Sequence, residues 1–307
     1  MDTRLLSKLE DLYERFEAEA KTLYLVATPI GNVADISIRA LACLNKVDLI
    51  LAEDTRTSKD LLKQFYIKQD YLSYHKHNYM KRIPEIIELL ENNKSLALIT
   101  DAGMPAVSDP GAEIVSACLD RNIQVKVVPG PSAAIAAMSL SGYQSKEFRF
   151  LGFLPLKKKD RDNLFKDIKN YNGINVIYEA PHRIVDTLKN LDAAGFSTRR
   201  ITICRELSKF YEESFRMTVS EALAYYKENE PRGEFVLVLD QPSQAERQAK
   251  KANEISDIKA LIKSKLKEGS SNKTIVLEVN EISDLSKNKI KSLIADIRAE
   301  EKSKQNE

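Results

Sequence analysis

Cysteine is scarce in this chain: three residues among 307, at positions 43, 118 and 204. An odd number at such wide spacing forms neither a disulfide framework nor a CxxC metal site, and it fits a reducing cytoplasm. Long apolar runs are missing too. The N-terminus alternates acids with apolar residues and lacks the apolar stretch of a signal peptide. The longest charge-free stretch, 127–145, carries Pro129-Gly130-Pro131 and four serines, so it reads as a buried loop and helix, not a membrane span. No two glycines stand as G-x-G, which removes the dinucleotide fingerprint and the usual glycine-rich methyltransferase loop. Neither GxxxxGK[ST] nor HExxH occurs, against a P-loop nucleotidase and a zinc hydrolase. His75-Lys76-His77 reads as a solvated strand end. The sequence argues against secretion, membrane insertion and bound metal.

An excess of one charge is also lacking: 47 Lys+Arg stand against 45 Asp+Glu, a formal +2. The balance is local, however. Residues 1–145 carry net −3, 146–216 net +5, 217–240 net −3 and 241–307 net +3. A basic middle and a basic tail suit a polyanionic partner, or simply a lysine-rich solvated surface.

With 43% hydrophobic and 30% charged residues, the composition is that of a soluble globular chain, and its length predicts two domains. Leu5, Leu6, Leu9, Leu12, Tyr13 and Phe16 recur at helical spacing, which predicts an amphipathic helix over 3–20. From Thr22 short apolar strands (23–27, 49–52, 72–74, 96–100, 125–128) alternate with helices near 37–45, 58–66, 82–92, 111–121 and 132–140. Asp109-Pro110 supplies a cap and first-turn proline for the fourth of these. That alternation predicts a mainly parallel α/β sheet. The second half is less regular, with strands at 148–153, 174–178, 201–204, 211–217 and 235–239 and helices at 159–170, 182–194 and 218–228. Thr218-x-x-Glu221 is a capping box for the last. Beyond Gln241-Pro242-Ser243, helices fit 245–267, 271–280 and 286–301, with Gly269 as a break; part of this stretch resembles a helix-turn-helix. The chain divides into a helical extension (1–21), two α/β domains (22–141 and 142–240) and a small helical tail (241–307).

Ligands of open α/β sheets bind beyond the carboxyl ends of the strands. Four such ends are followed by turns: Thr28-Pro29-Ile30-Gly31-Asn32, Glu53-Asp54-Thr55-Arg56, Asp101-Ala102-Gly103-Met104-Pro105 and Pro129-Gly130-Pro131-Ser132-Ala133. Together they predict a small-molecule cleft where bare backbone meets a flat polar ligand.

The order TPIGN (28–32), AEDTR (52–56), DAGMPAVSDPG (101–111), PGPSA (129–133), YEAPHR (178–183) and GEFVLVL (233–239) resembles the tetrapyrrole-methylase superfamily. Within it, the match is to the small-subunit ribosomal RNA methyltransferase I branch, ribose 2′-O-methyltransferases acting on a decoding-centre cytidine of 16S rRNA. The resemblance covers about 22–240 and departs from the pattern at the N-terminal helix. It implies a parallel-sheet α/β N-domain, a mixed-sheet C-domain, S-adenosylmethionine (SAM) between them, and a homodimer. By motif position it implies Pro29, Gly31, Asp101, Gly103, Met104, Ser132, Ala133 and Tyr178 as the cofactor site. A tetrapyrrole or diphthine-type acceptor, or a non-catalytic RNA-binding role, is the alternative; the DAGMP loop and YEAPHR favour RNA methylation.

Activating a ribose hydroxyl needs a base or a cation that stabilises the developing alkoxide. The candidates are Asp54, Arg56, Glu179, His182 and Arg183, where AEDTR would meet YEAPHR. Lys157, Lys158, Lys159, Arg161, Arg205 and Lys209 are candidates for RNA phosphates. Asp54–Arg56, the 205–206 pair and the lysine run read equally as structural ion pairs or a solvated face.

Overall fold

A computed structural model describes residues 2–283 and 285–305. Contacts divide the chain into two compact units, 1–241 and 242–307.

The larger unit opens with α1 (Thr3–Glu14) and then alternates: β1 (Thr22–Val26), α2 (Ile38–Lys46), β2 (Leu49–Ala52), α3 (Thr55–Lys63), β3 (Tyr71–Ser73), α4 (Tyr79–Glu91), β4 (Ser95–Ile99), α5 (Ala112–Leu119), β5 (Gln124–Val128) and α6 (Ala133–Ser141). The five strands form a wholly parallel sheet in the order β3-β2-β4-β1-β5. Both faces are covered. Tyr24, Val26, Ile50 and Ala97 pack with α2 and α3 through Leu44 and Leu62. Leu23, Leu51, Leu96 and Leu98 pack with α4 and α5 through Ile86, Leu90 and Ile114. That is why these strands read as unbroken apolar runs.

The second half contributes β6 (Phe148–Phe153), α7 (Lys158–Asn170), β7 (Ile174–Glu179), α8 (Ile184–Leu191), β8 (Arg200–Arg205), β9 (Glu213–Thr218), α9 (Val219–Glu228) and β10 (Phe235–Leu239). Its sheet runs β6-β7-β10-β8-β9; only β6–β7 is parallel, so the sheet is mixed. In the smaller unit α10 (Gln244–Lys267), α11 (Asn272–Ile282) and α12 (Lys287–Gln305) enclose their own core of Ile262, Ile275, Val279, Ile290 and Ile294.

Several boundaries differ from expectation for identifiable reasons. Helix α1 stops at Glu14, because Phe16 leaves the helix to pack edge-to-face on Tyr24, centroids 5.5 Å apart. Asp109-Pro110 does not start a helix: α5 begins at Ala112 with Gly111 at its N-cap. Strand β9 begins at Glu213, leaving Phe210 and Tyr211 in the loop. Helix α8 starts at Ile184 rather than 182 and gives way after Leu191 to a π-turn ending at Phe196, where Gly195 takes φ 87°. The three thiols are buried, and burial pushes Cys43 up to about 12 and Cys118 and Cys204 up to about 11, so they stay protonated and inert. Among the described residues no cluster of three or more His, Cys, Asp or Glu could hold a metal, and no helix is long and apolar enough to cross a membrane.

The Thr218 capping box forms as its spacing predicts: its hydroxyl accepts from Glu221 N–H (3.2 Å) and its own N–H donates to Glu221 Oε2 (2.7 Å). Thr218→Ala should cost about 1 kcal/mol, read as a lowered midpoint in urea unfolding.

Candidate active site

Strand β1 leads to α2 on one face of the parallel sheet and β4 leads to α5 on the other, so their loops part over the carboxyl edge. A backbone bridge crosses that gap. Thr28 N–H donates to Gly103 O (2.9 Å) and Gly103 N–H donates to Thr28 O (3.1 Å), while Thr28 Oγ1 donates to Thr100 O (3.0 Å). Gly103 has φ +82°, and an added Cβ would lie 3.3 Å from Ile30 Cγ2. The glycine is therefore needed for its conformation and its missing side chain. Its polar backbone serves the bridge instead of facing a ligand.

Beside the bridge lies a cleft of about 410 Å³ between the two α/β halves of the larger unit. The first half lines it with Asp101, Gly103, Met104, Asp109, Ser132 and Ala133; the second supplies Phe153, Tyr178, Leu207, Glu234 and Val236. Tyr178 is wedged edge-to-face between Phe150 (4.7 Å) and Phe153 (5.9 Å). Burial raises its phenol, against a hydrogen bond from the Ala134 amide at the start of α6. Pro29 and Gly31 line an adjoining recess of about 420 Å³ instead. Gly31 is held by interdomain packing: a Cβ there would come within 2.5 Å of Lys209 Cγ and 2.8 Å of Leu207 O.

The cleft is acidic. Glu53 also lines it, its Oε2 accepting from Thr100 Oγ1 at 2.8 Å. Burial raises the Asp101 carboxyl above the usual range; the Asp54 amide opposes this, and the Glu53 and Asp54 charges add to it. Asp109 is likewise raised by burial, opposed by Thr100 and reinforced by the charges of Glu53 and Asp101. Neither Glu53 nor Asp109 is a candidate from sequence. Glu53 stands one residue before Asp54 in AEDTR, and Asp109 has the local look of a helix cap.

The expected meeting of AEDTR and YEAPHR is different in kind. Asp54 caps α3, accepting from Arg56 N–H at 2.8 Å, and pairs with the 88%-exposed Arg56 at 3.1 Å. The Arg56 side-chain and backbone hydrogen bonds hold the Asp54 carboxyl below its ordinary value. Glu179 borders the cleft, but its carboxylate is fully buried and occupied by Ala180 N–H (2.9 Å), Thr187 Oγ1 (2.5 Å) and Arg183 Nε (3.4 Å). Arg183 also donates to Leu154 O at 2.7 Å, so it braces the start of α8 and is not free for a phosphate. His182 is exposed and outside the cleft lining.

The basic candidates separate in the same way. Lys157, Lys158 and Lys159 are exposed at the start of α7, Lys158 pairing with Asp162 at 2.6 Å. Arg161 is turned back to Leu156 O and Asn190, both at 3.4 Å. Arg205 is bound to Glu213 at 2.8 Å, and Lys209 to Glu206 (2.9 Å) and Glu234 (3.0 Å). Arg205 and Lys209 are thus neutralised by carboxylates, while Arg161 is held by uncharged oxygens and keeps its charge.

A parallel and a mixed α/β sheet facing each other across a cleft of this composition define a two-domain methylase architecture. The chain belongs to the Tetrapyrrole (Corrin/Porphyrin) Methylases, whose family model matches residues 22–223. It is similar to Ribosomal RNA small subunit methyltransferase I of Thermotoga maritima, 45% identical over 218 residues, 71% of this chain and 97% of the relative. The protein of that name from Synechocystis sp. is 44% identical over 230 residues, 73% of this chain and 82% of the relative. The resemblance carried by the six motifs is thus borne out. A uroporphyrin-III C-methyl transferase from Thermus thermophilus, complexed with S-adenyl homocysteine, shares the fold at TM-score 0.51 and 17% identity, covering 71% of this chain and 96% of that one.

A carboxyl that binds its proton more tightly when folded than when unfolded makes stability fall as pH rises through the carboxylate range. Asp109→Asn should therefore raise the melting temperature at pH 7.5 above that of the parent. Scanning calorimetry should show the gain fading below about pH 4, where the parental carboxyl is protonated.

Proposed function

We propose that this chain is a SAM-dependent methyltransferase that modifies the ribose 2′-hydroxyl of a decoding-centre cytidine in 16S rRNA, acting on the small ribosomal subunit as a cytoplasmic homodimer. The names of its relatives at 44–45% identity support the small-subunit rRNA acceptor. The observation that carries the reading is the cleft. Its apolar lining of Ile30, Met104, Ala133, Leu207 and Val236 suits an adenosine, and the carboxyls of Glu53, Asp101 and Asp109 suit a sulfonium cation. Gly103 lines the cleft, and its left-handed backbone and the nearby Ile30 leave little room for a side chain there, so a bulkier residue would disturb the cleft wall. Asp101, Gly103, Met104, Ser132, Ala133 and Tyr178 would hold the cofactor, with Pro29 and Gly31 shaping the loop behind it.

When bound, SAM supplies an electrophilic methyl group. The chain's own contribution is mainly to hold the acceptor in line and exclude water. Forming the ether bond at the ribose oxygen releases the hydroxyl proton. Asp101 and Asp109, whose carboxyls hold a proton more tightly than ordinary aspartates, are the groups suited to receive it. Asp54 and Arg56 then serve by ordering the start of α3, and Glu179 and Arg183 by ordering the start of α8, beside the cleft. Lys157, Lys158 and Lys159, with the basic tail, take the RNA phosphates.

Incubation with methyl-labelled SAM and small ribosomal subunits, protein-free RNA or haem precursors tests the acceptor. Label should enter the subunits and survive alkali in a dinucleotide, since a 2′-O-methyl group blocks cleavage of the adjoining phosphodiester. Label in the haem precursors, or in a base, would overturn the assignment. Ala133→Leu, which fills the cleft from an unstrained helical position, and Gly103→Leu should both abolish SAM binding in calorimetry; the parental melting curve of Ala133→Leu should be retained. Reversing Lys157, Lys158 and Lys159 to Glu should spare SAM binding and lower the salt slope of RNA binding by about one for each lost phosphate contact.

A further inference from the structure

The loop 206–212 between β8 and β9 is built at a cost in backbone conformation. Glu206 (φ 53°) and Ser208 (φ 65°) are left-handed without being glycine. They are held there by a dense set of bonds. Glu206 N–H donates to Glu234 O (3.0 Å), Glu234 N–H donates to Glu206 Oε1 (2.9 Å), and Ser208 N–H donates to Glu212 Oε2 (2.6 Å). The Ser208 hydroxyl reaches Asp35 in the first half, and Lys209 is clamped between Glu206 and Glu234. Leu207 is buried and lines the cleft. Having fixed the base of the loop, the fold leaves its two largest side chains in water: Phe210 is 92% exposed and Tyr211 67% exposed. Their rings meet edge-to-face, centroids 4.9 Å apart at 89°. Strain of this sort persists only where the surroundings enforce it, and it gathers at functional sites.

The chemistry around the rings selects the ligand. The base of the loop carries Glu206, Glu212 and Glu234, while its one lysine is already paired. A phosphate would be repelled there; a neutral π-face would not. Two aromatic side chains bury about 150–250 Å² each, well short of the roughly 800 Å² per partner that a stable protein interface needs. An unstacked nucleobase matches both the size and the neutrality. We infer that Phe210 and Tyr211, three and four residues beyond the cleft-lining Leu207, form a stacking platform for a base of the RNA substrate, positioning the nucleotide whose ribose enters. The inference rests on the RNA-methylating reading of that cleft.

The chain contains no tryptophan, so Phe210→Trp carries a single one that reports directly on stacking. Its fluorescence should be quenched by a cytidine oligonucleotide and by unmodified small ribosomal subunits, but not by an abasic oligonucleotide of equal length. This arm needs no activity. In single-turnover methylation of small subunits, Phe210→Ala with Tyr211→Ala should raise the apparent KM about ten-fold or more, leave SAM affinity unchanged, and be rescued by Phe210→Trp. Equal quenching by the abasic oligonucleotide, or parental KM in the double variant, overturns the platform while leaving the methyltransferase reading intact. A parent protein inactive on every RNA overturns that reading instead. A double variant whose sedimentation differs from the parent identifies the rings as a contact between copies of the chain and also overturns the platform.

Discussion

The pair of backbone hydrogen bonds between Thr28 and Gly103 is the constraint on which the cleft depends. Two loops leaving for opposite faces of a sheet have no reason to stay together, and two N–H···O bonds supply one. Gly103 reverses the chain there through a left-handed residue, so the segment to Gly111 crosses the sheet edge before α5 can begin. Asp109 reaches the cleft on that segment, where it joins Asp101 at the end of β4. The delayed helix start and the acidic lining are one event seen at two levels.

Charge is zoned around this point. The net negative first half places Glu53, Asp101 and Asp109 in the cleft, while Lys157, Lys158 and Lys159 stay at the surface. Confined carboxylates in a partly desolvated cleft attract a small cation and repel a phosphodiester. A polyanion gathered by the basic surface could therefore insert only an uncharged part of itself.

What could be read in advance follows from how local each feature is. Strand ends are legible because fully buried parallel strands are short apolar runs closed by Gly, Pro and small residues, which brings the turns holding Asp101, Gly103, Met104, Ser132 and Ala133 to one edge; Tyr178 comes only from the family resemblance, and Pro29 and Gly31, implied with it, line the adjoining recess. Pairing was not legible. Lys209 and Glu234 lie on different loops, and Arg183 meets the carbonyl of Leu154 across a helix and a strand. A charged residue's type is in the sequence, but whether it is spent on a partner is decided by the fold. Asp109-Pro110 shows the reverse failure: a locally convincing cap is overruled because the loop is tied elsewhere, and the residue that looked structural lines the cleft.

The position of β1 bears on how the molecule is made. It is the first strand of the chain and an interior strand of its sheet, with β4 on one side and β5 on the other. At a synthesis rate of about 5–20 residues per second, β1 waits on the order of 4–15 s for β4 and longer for β5. Through that interval its apolar side chains and both rows of backbone donors and acceptors are uncovered. The strand that leads into the cleft thus spends that interval open to mispairing, and its safety depends on whatever shelters a nascent chain.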